Sequence, residues 1–290
     1  MITGLHHVGL AAADIGGAAR FYESLTGAAA PANTTGGLLA GLNLRIEVHQ
    51  AASSEATPPA LNRPGIRHLC VQNFDCAKLE AAVTGAGGAL IAPPLDLGTG
   101  NLYAYARDPE GNIVEIEGLP YAPSAQPNWI GHVALVTRNI GATLRFYSGL
   151  LGTEAAGPRQ VGPSAAVDWM GGLTGAILHG AWLSAGNVGL EFWEFREPRY
   201  AGPTDRTGFA EPGFSHLAFE SNAPLQDMAR ALALGASLPR GAIEAQPTPG
   251  ALDSRLVSGP DGVLIEFVHM TGADLALADR NVVARIEAGR

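Results

Sequence analysis

The chain has 290 residues, 47% hydrophobic and only 16% charged, with 38 glycines and 20 prolines. That combination describes a globular protein long enough for two domains of ordinary size, and it excludes a disordered or low-complexity chain. A net charge of −9 without any stripe of Lys or Arg excludes a nucleic-acid surface, and two cysteines, Cys70 and Cys76, without C-x-x-C spacing exclude a disulfide framework.

In chain order, the N-terminus opens directly into an apolar strand carrying His7, followed by a helix over residues 15–25. Arg20-Phe21-Tyr22 lies at the back of that helix, and Gly27 just beyond it supplies a C-terminal stop. A strand follows at 42–49, then a short apolar strand with His68, a helix at 75–85, and strands at 103–106 and 113–117. Residues 118–128, with Pro120, Pro123 and Pro127, read as a linker. Beyond it come helices at 140–150 and 224–235 and strands at 176–184, 189–195 and 263–269. A charged helix at 274–286 has no counterpart upstream and is read as a packing or dimer-contact appendage. No apolar run approaches the roughly 18 residues that cross a bilayer, and no signal segment is seen, so a cytoplasmic protein is expected.

The chain repeats itself. Leu5-His6-His7-Val8-Gly9-Leu10 through Arg20-Phe21-Tyr22, Leu25 and Gly27 recurs 125 positions later as Ile130-Gly131-His132-Val133-Ala134-Leu135 through Arg145-Phe146-Tyr147, Leu150 and Gly152. Ile66-Arg67-His68-Leu69 pairs with Phe214-Ser215-His216-Leu217. Asp108-Pro109-Glu110-Gly111, leading to Glu115, pairs with Gly259-Pro260-Asp261-Gly262, leading to Glu266. A weaker echo within each half gives a β-α-β-β-β unit four times over. The expected fold is α+β: four βαβββ modules arranged as two tandem domains, residues 1–120 and 128–290.

The strands carry a matching set of ligand-type residues. His7, Glu47, His68 and Glu115 form one tetrad in the first half, and His132, Glu191, His216 and Glu266 another in the second. Two imidazoles and two carboxylates converging from a curved sheet make an N₂O₂ cage for a borderline or hard divalent ion such as Zn, Ni, Mn or Fe, with positions left for substrate oxygens. Plainer readings exist: a His on an apolar strand is commonly a core residue, and a strand Glu commonly faces water. Alternation favours the second tetrad. Leu264 and Val268 share the face of Glu266, Trp193 and Phe195 share that of Glu191, and a carboxylate in such surroundings needs a cation or a proton. Glu47 shares its face with Asn43, Arg45 and His49, and Glu115 with Glu117, patterns that an exposed face also produces. His6, His49, His179 and His269 fall outside the repeat and are read as structural, with His49 placed to border a pocket. No Gly-rich phosphate loop appears, so no nucleotide cofactor is implied.

H-V-x-L at a strand start, F-Y near a helix end and D-P-x-G-x-x-x-E entering a final strand resemble the vicinal oxygen chelate superfamily of glyoxalase I, bleomycin resistance proteins and type I extradiol dioxygenases. The resemblance covers residues 3–118 and 128–270. It implies that paired modules close around one cavity with the metal between them, and that the eight His and Glu residues named above are the ligands. It also implies a mechanism in which the metal acts as Lewis acid on a substrate bound through vicinal oxygens. A displaced carboxylate, Glu266 or Glu191, then takes the proton as general base.

Tandem layout is similar to that of the Fe(II) extradiol ring-cleaving dioxygenases, the first alternative. Those enzymes carry a Tyr four residues before the Pro of the last turn and a His shortly before it. Leu256 fills the Tyr position in the second half, and Tyr105 fills it in the first without the His. The second alternative is a metal-free drug-binding protein, against which the retention of every ligand type in both halves speaks. Arg107, Tyr105, Trp169 and Trp193 are pocket-wall candidates. A small-molecule substrate is the expected partner, without nucleic acid or membrane. Four modules suffice for closure within one chain, and pairing across a homodimer is equally compatible with the fold.

Overall fold

A computed structural model describes residues 1–28, 37–52, 59–121, 127–202, 209, 211–239 and 248–272. The first half contains β1 (Ile2–Ala12), α1 (Ile15–Thr26), β2 (Gly37–Ala40), β3 (Arg45–Gln50), β4 (Gly65–Asn73) and α2 (Cys76–Gly85), then β5 (Ala89–Leu90), β6 (Leu95–Asp96), β7 (Leu102–Arg107) and β8 (Ile113–Gly118). The second half contains β9 (Trp129–Val136), α3 (Ile140–Leu151), β10 (Ala156–Val161), α4 (Ala165–Gly171), β11 (Ile177–Ser184), β12 (Gly189–Glu197) and β13 (Gly213–Ser221), then α5 (Pro224–Ala233), β14 (Asp253–Ser258) and β15 (Leu264–His269). Among the described residues no helix is long and apolar enough to cross a membrane. The 274–286 helix and residues 122–126 of the linker lie outside the described residues.

The repeated helices form for the reasons their sequences suggest. Asp14 and Asn139 cap α1 and α3 by accepting from the backbone N–H of Gly17 and Ala142. Gly27 and Gly152 end them in the left-handed conformation, φ 69° in both, which a side chain would strain. Phe21, Tyr22, Phe146 and Tyr147 face inward from these helices into one apolar cluster that also takes in Phe192, Phe219 and Phe267. Burial of each such side chain contributes roughly 1.5–3 kcal/mol. The Tyr22 hydroxyl donates to Asp108 Oδ2 at 3.1 Å and thereby ties α1 to the turn before β8. Gly259 stands where Asp108 would recur, and the Tyr147 hydroxyl is accordingly buried with no hydrogen-bond partner.

The four modules do not pair as two successive halves. One sheet runs β14-β15-β13-β1-β3-β2 and joins the fourth module to the first. The other runs β10-β11-β12-β9-β4-β8-β7-β5, with β6 on β7, and joins the third to the second. At the centre of each sheet two first strands meet antiparallel, β1 on β13 and β4 on β9. Within every module the first strand lies parallel to the last, in the pairs β1–β3, β4–β8, β9–β12 and β13–β15. An asparagine clasp fixes the sheets to each other. Asn43 Nδ2 donates to Ile130 O at 2.8 Å and Asn187 O at 3.0 Å, while Asn187 Nδ2 donates to Leu5 O at 2.9 Å and Asn43 O at 2.7 Å. Asn43 and Arg45 are therefore buried, and the strand face they share with Glu47 is not a solvent face.

The short strands β2, β5 and β6, the strand β14, the edge strand β10 and the helix α4 had no counterpart in the sequence reading. The edge strand β10 is largely exposed, and Pro158, Arg159 and Gln160 leave it without the alternation that marks a buried strand. The short helix α4 is capped by Ser164, whose side chain accepts from Val167 N, and ends at a left-handed Gly172.

Candidate metal centre

The strand register explains how the ligand-type residues converge. In all four modules the Glu of the last strand stands opposite the residue two positions after the His of the first. The pairs are Gly9 with Glu47, Cys70 with Glu115, Ala134 with Glu191, and Ala218 with Glu266. Because side chains alternate, the His and the residue two positions on share a face, so each module delivers one imidazole and one carboxylate to the same side of its sheet. The antiparallel pairing of first strands then brings two such half-sets together.

The resulting groups correct the expected ones. His7 and Glu47 do not join His68 and Glu115; they join His216 and Glu266 across the β1–β13 seam. His68 and Glu115 join His132 and Glu191 across the β4–β9 seam. Each cluster draws one His and one Glu from each half, because the halves are interleaved through the sheets.

In the first cluster His68 Nε2 lies 3.0 Å from Glu115 Oε2 and 3.8 Å from Glu191 Oε2, and His132 Nε2 lies 3.1 and 3.2 Å from the same two oxygens. Donors about 2.1 Å from one ion stand about 3.0 Å apart at right angles and about 3.4 Å apart at tetrahedral angles, so these separations fit a shared cation. His68 Nε2 and Glu191 Oε2 are buried without a well-aligned hydrogen bond, although Glu115 Oε2 lies 3.0 Å from the first and His132 Nε2 3.2 Å from the second. Leaving such atoms unsatisfied is costly, and a cation at their meeting point removes that cost. Burial works to raise the Glu115 carboxyl, but the imidazoles of His132 and His68 against its oxygen hold it at about 2. His132 is raised: burial opposes its charge, and Cys70, Glu191 and Glu115 outweigh burial.

The second cluster brings its two imidazoles together and holds its carboxylates farther off. His7 Nε2 and His216 Nε2 are 3.0 Å apart, and Glu47 Oε2 is 3.5 Å from each. Glu266 stands slightly back, 3.9 and 3.6 Å from the two imidazoles, where it accepts hydrogen bonds from Thr248 and Ser254. The outer nitrogens are also held: His7 Nδ1 lies 2.8 Å from His6 Nδ1, and His216 Nδ1 lies 2.9 Å from Ser215 Oγ, which lies 3.0 Å from His49 Nε2. His6 and His49, read as structural from sequence, thus orient the imidazoles of the cluster. Gly9 makes the approach possible, since a Cβ there would fall 2.1 Å from His216 Nδ1.

A cavity of about 490 Å³ opens beside the first cluster and is bordered by its Glu115, His132 and Glu191. Its apolar walls include Leu61, Val161, Met170, Leu178, Trp193 and Phe195, and α4 contributes Met170 and Val167 to the roof. Such a volume is typical of small-molecule sites. Tyr105 also borders the cavity and is fully buried with an unpartnered hydroxyl; burial, then Glu115 and Glu191, push its titration well up, so it stays a neutral donor. Two of the proposed wall residues fall elsewhere. Trp169 is 60% exposed on the outer side of α4, and Arg107 Nη1 donates to Gly111 O at 2.7 Å in the turn before β8.

The sequence reading missed Cys70, Gln72 and Glu117 around this cluster. Cys70 stands opposite His132 in the strand register, and its thiol contacts Glu117 Oε2 at 3.6 Å. Their signal was strand alternation: positions 68, 70 and 72 share one face of β4, and 115 and 117 share one face of β8.

The fold agrees with comparison to known proteins. Residues 4–116 and 129–267 both match the Glyoxalase/Bleomycin resistance protein/Dioxygenase superfamily, and the chain belongs to that family. Glyoxalase I from Zea mays superposes with a TM-score of 0.62 at 15% identity, over 98% of this chain and 95% of that one. A putative dioxygenase from Bacillus subtilis superposes with a TM-score of 0.57 at 13% identity, over 100% of this chain and 96% of that one. At these identities both speak for the fold alone. The virulence protein STM3117 of Salmonella typhimurium is 30% identical over 139 residues, 48% of this chain and 81% of that protein.

Proposed function

We propose that the chain is a divalent-metal-dependent enzyme of the glyoxalase type, working at His68, Glu115, His132 and Glu191 on a small molecule that presents two neighbouring oxygens. The observation that carries this reading is the buried group of His68, Glu115, His132 and Glu191, in which His68 Nε2 and Glu191 Oε2 make no well-aligned hydrogen bond, at the edge of a 490 Å³ apolar cavity. A divalent cation held by the four side chains supplies Lewis-acid polarisation of the substrate oxygens.

The chain's own residues do the rest. Glu115, hydrogen-bonded by His132 and flanked by His68, keeps its charge and remains a ligand. Glu191 has an oxygen with no other hydrogen bond and borders the cavity, so it is placed to accept a proton from a C–H beside the polarised oxygen and to return it. Glu266, the other residue assigned this role from sequence, is engaged by Thr248 and Ser254 in the second cluster, and the role falls to Glu191. The apolar walls exclude water from the reacting carbon.

The test is a Zn²⁺ and Ni²⁺ titration of chelator-stripped protein, followed by exchange of deuterium from solvent into the C–H of an aromatic α-hydroxyketone. Metal uptake together with metal-dependent exchange that Glu191→Gln abolishes supports the proposal. Uptake with exchange unchanged in Glu191→Gln removes Glu191 from the role, and absence of uptake removes the metal.

A further inference from the structure

Apart from the phenols of Tyr103 and Tyr105, the ionisable side chains among the described residues that border the cavity are carboxylates and an imidazole. Glu115, Glu191 and His132 belong to the metal cluster, and the fourth, Glu117, does not. No Lys or Arg is among these described lining residues. Glu117 follows Glu115 on the same face of β8 and is only 6% exposed. Its hydrogen bonds come from neutral donors: Gln72 Nε2 at 2.5 Å, Asn101 Nδ2 at 2.6 Å and the Cys70 thiol at 3.6 Å. Gln72 is itself fixed, its Oε1 accepting from Trp129 Nε1 at 2.8 Å. This carboxylate is therefore built in and held in one orientation by neutral donors, and the imidazole beside it, His132, is shared with Glu115 and Glu191.

We propose that Glu117 makes the cavity anion-excluding, so that its substrate is an uncharged, mainly apolar molecule with its oxygen pair at one end. A fixed buried carboxylate beside Glu115 and Glu191 repels a carboxylate or phosphate on the ligand, and the low dielectric of the apolar walls strengthens that repulsion. An uncharged aliphatic or aromatic end meets Leu61, Met170, Leu178, Trp193 and Phe195 instead. A hydroxyl or amide N–H on the ligand finds in Glu117 an acceptor.

This inference rests on the metal reading only for the oxygen-bearing end, and the test separates the two. Zn²⁺ uptake is first measured by calorimetry. Binding of 4-isopropylcatechol and of 3,4-dihydroxybenzoate, near-isosteric chelating probes that differ by one charge, is then followed by quenching of tryptophan fluorescence, since Trp182 and Trp193 border the cavity. Both Zn²⁺-loaded and metal-free protein are used. The expected result is a Kd at least tenfold lower for the uncharged probe. In Glu117→Gln the gap should narrow through tighter binding of 3,4-dihydroxybenzoate, with 4-isopropylcatechol changed less than about twofold. Equal or tighter binding of the charged probe by the wild-type protein overturns the proposal, whatever the variant does, and an unchanged ratio in a folded Glu117→Gln overturns the part given to Glu117. Failure of Zn²⁺ uptake defeats the metal reading alone, because the charge preference is still read in metal-free protein.

Discussion

His68 and His132 come from opposite halves of the sequence, yet their Nε2 atoms lie 3.0 and 3.1 Å from the same oxygen of Glu115. The β4–β9 pairing brings the two imidazoles together, and neither half of the chain alone contains a complete cluster. The duplication therefore does not yield two self-sufficient domains each with its own centre. It yields two seams, each needing both halves.

Replacing Glu191 with Gln keeps its shape and removes its proton affinity. With the metal saturating, turnover should fall about 10²- to 10⁴-fold, the usual range for loss of a general base. Far-ultraviolet circular dichroism should be unchanged. Comparable replacement of Glu266, which is in the other cluster, should leave kcat at the cavity within about twofold.

Gly9→Ala tests the second cluster. Its Cβ would fall 2.1 Å from His216 Nδ1 and 2.4 Å from Ser215 Oγ. The His216 and Ser215 side chains must shift to admit it, at a cost of about 1–3 kcal/mol. Thermal unfolding should report the loss, while ligand binding in the cavity at the first cluster should persist.

The sequence made much of this arrangement readable. The recurrent Arg-Phe-Tyr with Gly beyond it located α1 and α3 to within a residue, because capping and αL termination are local chemistry. All eight ligand-type residues were visible as repeats on strands. Their grouping was not, since which modules share a sheet depends on long-range strand pairing that leaves no local mark in β1 or β4. Asn43 and Arg45 looked like an exposed face for the same reason: their burial comes from Asn187 and the other sheet, 144 positions away in the case of the asparagine contact. Helix α4 is a single capped stretch of seven residues with too little periodicity to declare itself.

The asparagine clasp should be measurable directly. Asn43→Ala deprives the backbone N–H of Ile130 of its acceptor at 3.0 Å and removes donors to Ile130 O and Asn187 O. Buried groups left unpaired cost about 1–3 kcal/mol each, so the denaturant midpoint should drop markedly. Asn43→Asp, which restores an acceptor but no donor, should recover only part of the loss.

Acid should weaken the metal-free protein through Glu47. Burial works to raise this carboxyl, but His7, His216 and His49 lower it from the ordinary 4.5 to about 2. A carboxyl depressed in the folded state stabilises the fold fully above its unfolded value and loses that contribution as pH falls toward the folded value. The midpoint of chemical unfolding should therefore decline between about pH 4.5 and pH 2, and decline less in Glu47→Gln. A decline of equal size in that variant assigns the effect to other groups.

The most direct measurement is metal stoichiometry in His68→Ala, His132→Ala and the double variant, each stripped with chelator, reloaded with Zn²⁺ and analysed by native mass spectrometry. The expected result is loss of one equivalent in either single variant and no further loss in the double, because both imidazoles serve one ion at the β4–β9 seam. Loss of two equivalents in the double variant, one from each single change, would contradict that shared centre, as would full metal content in all three.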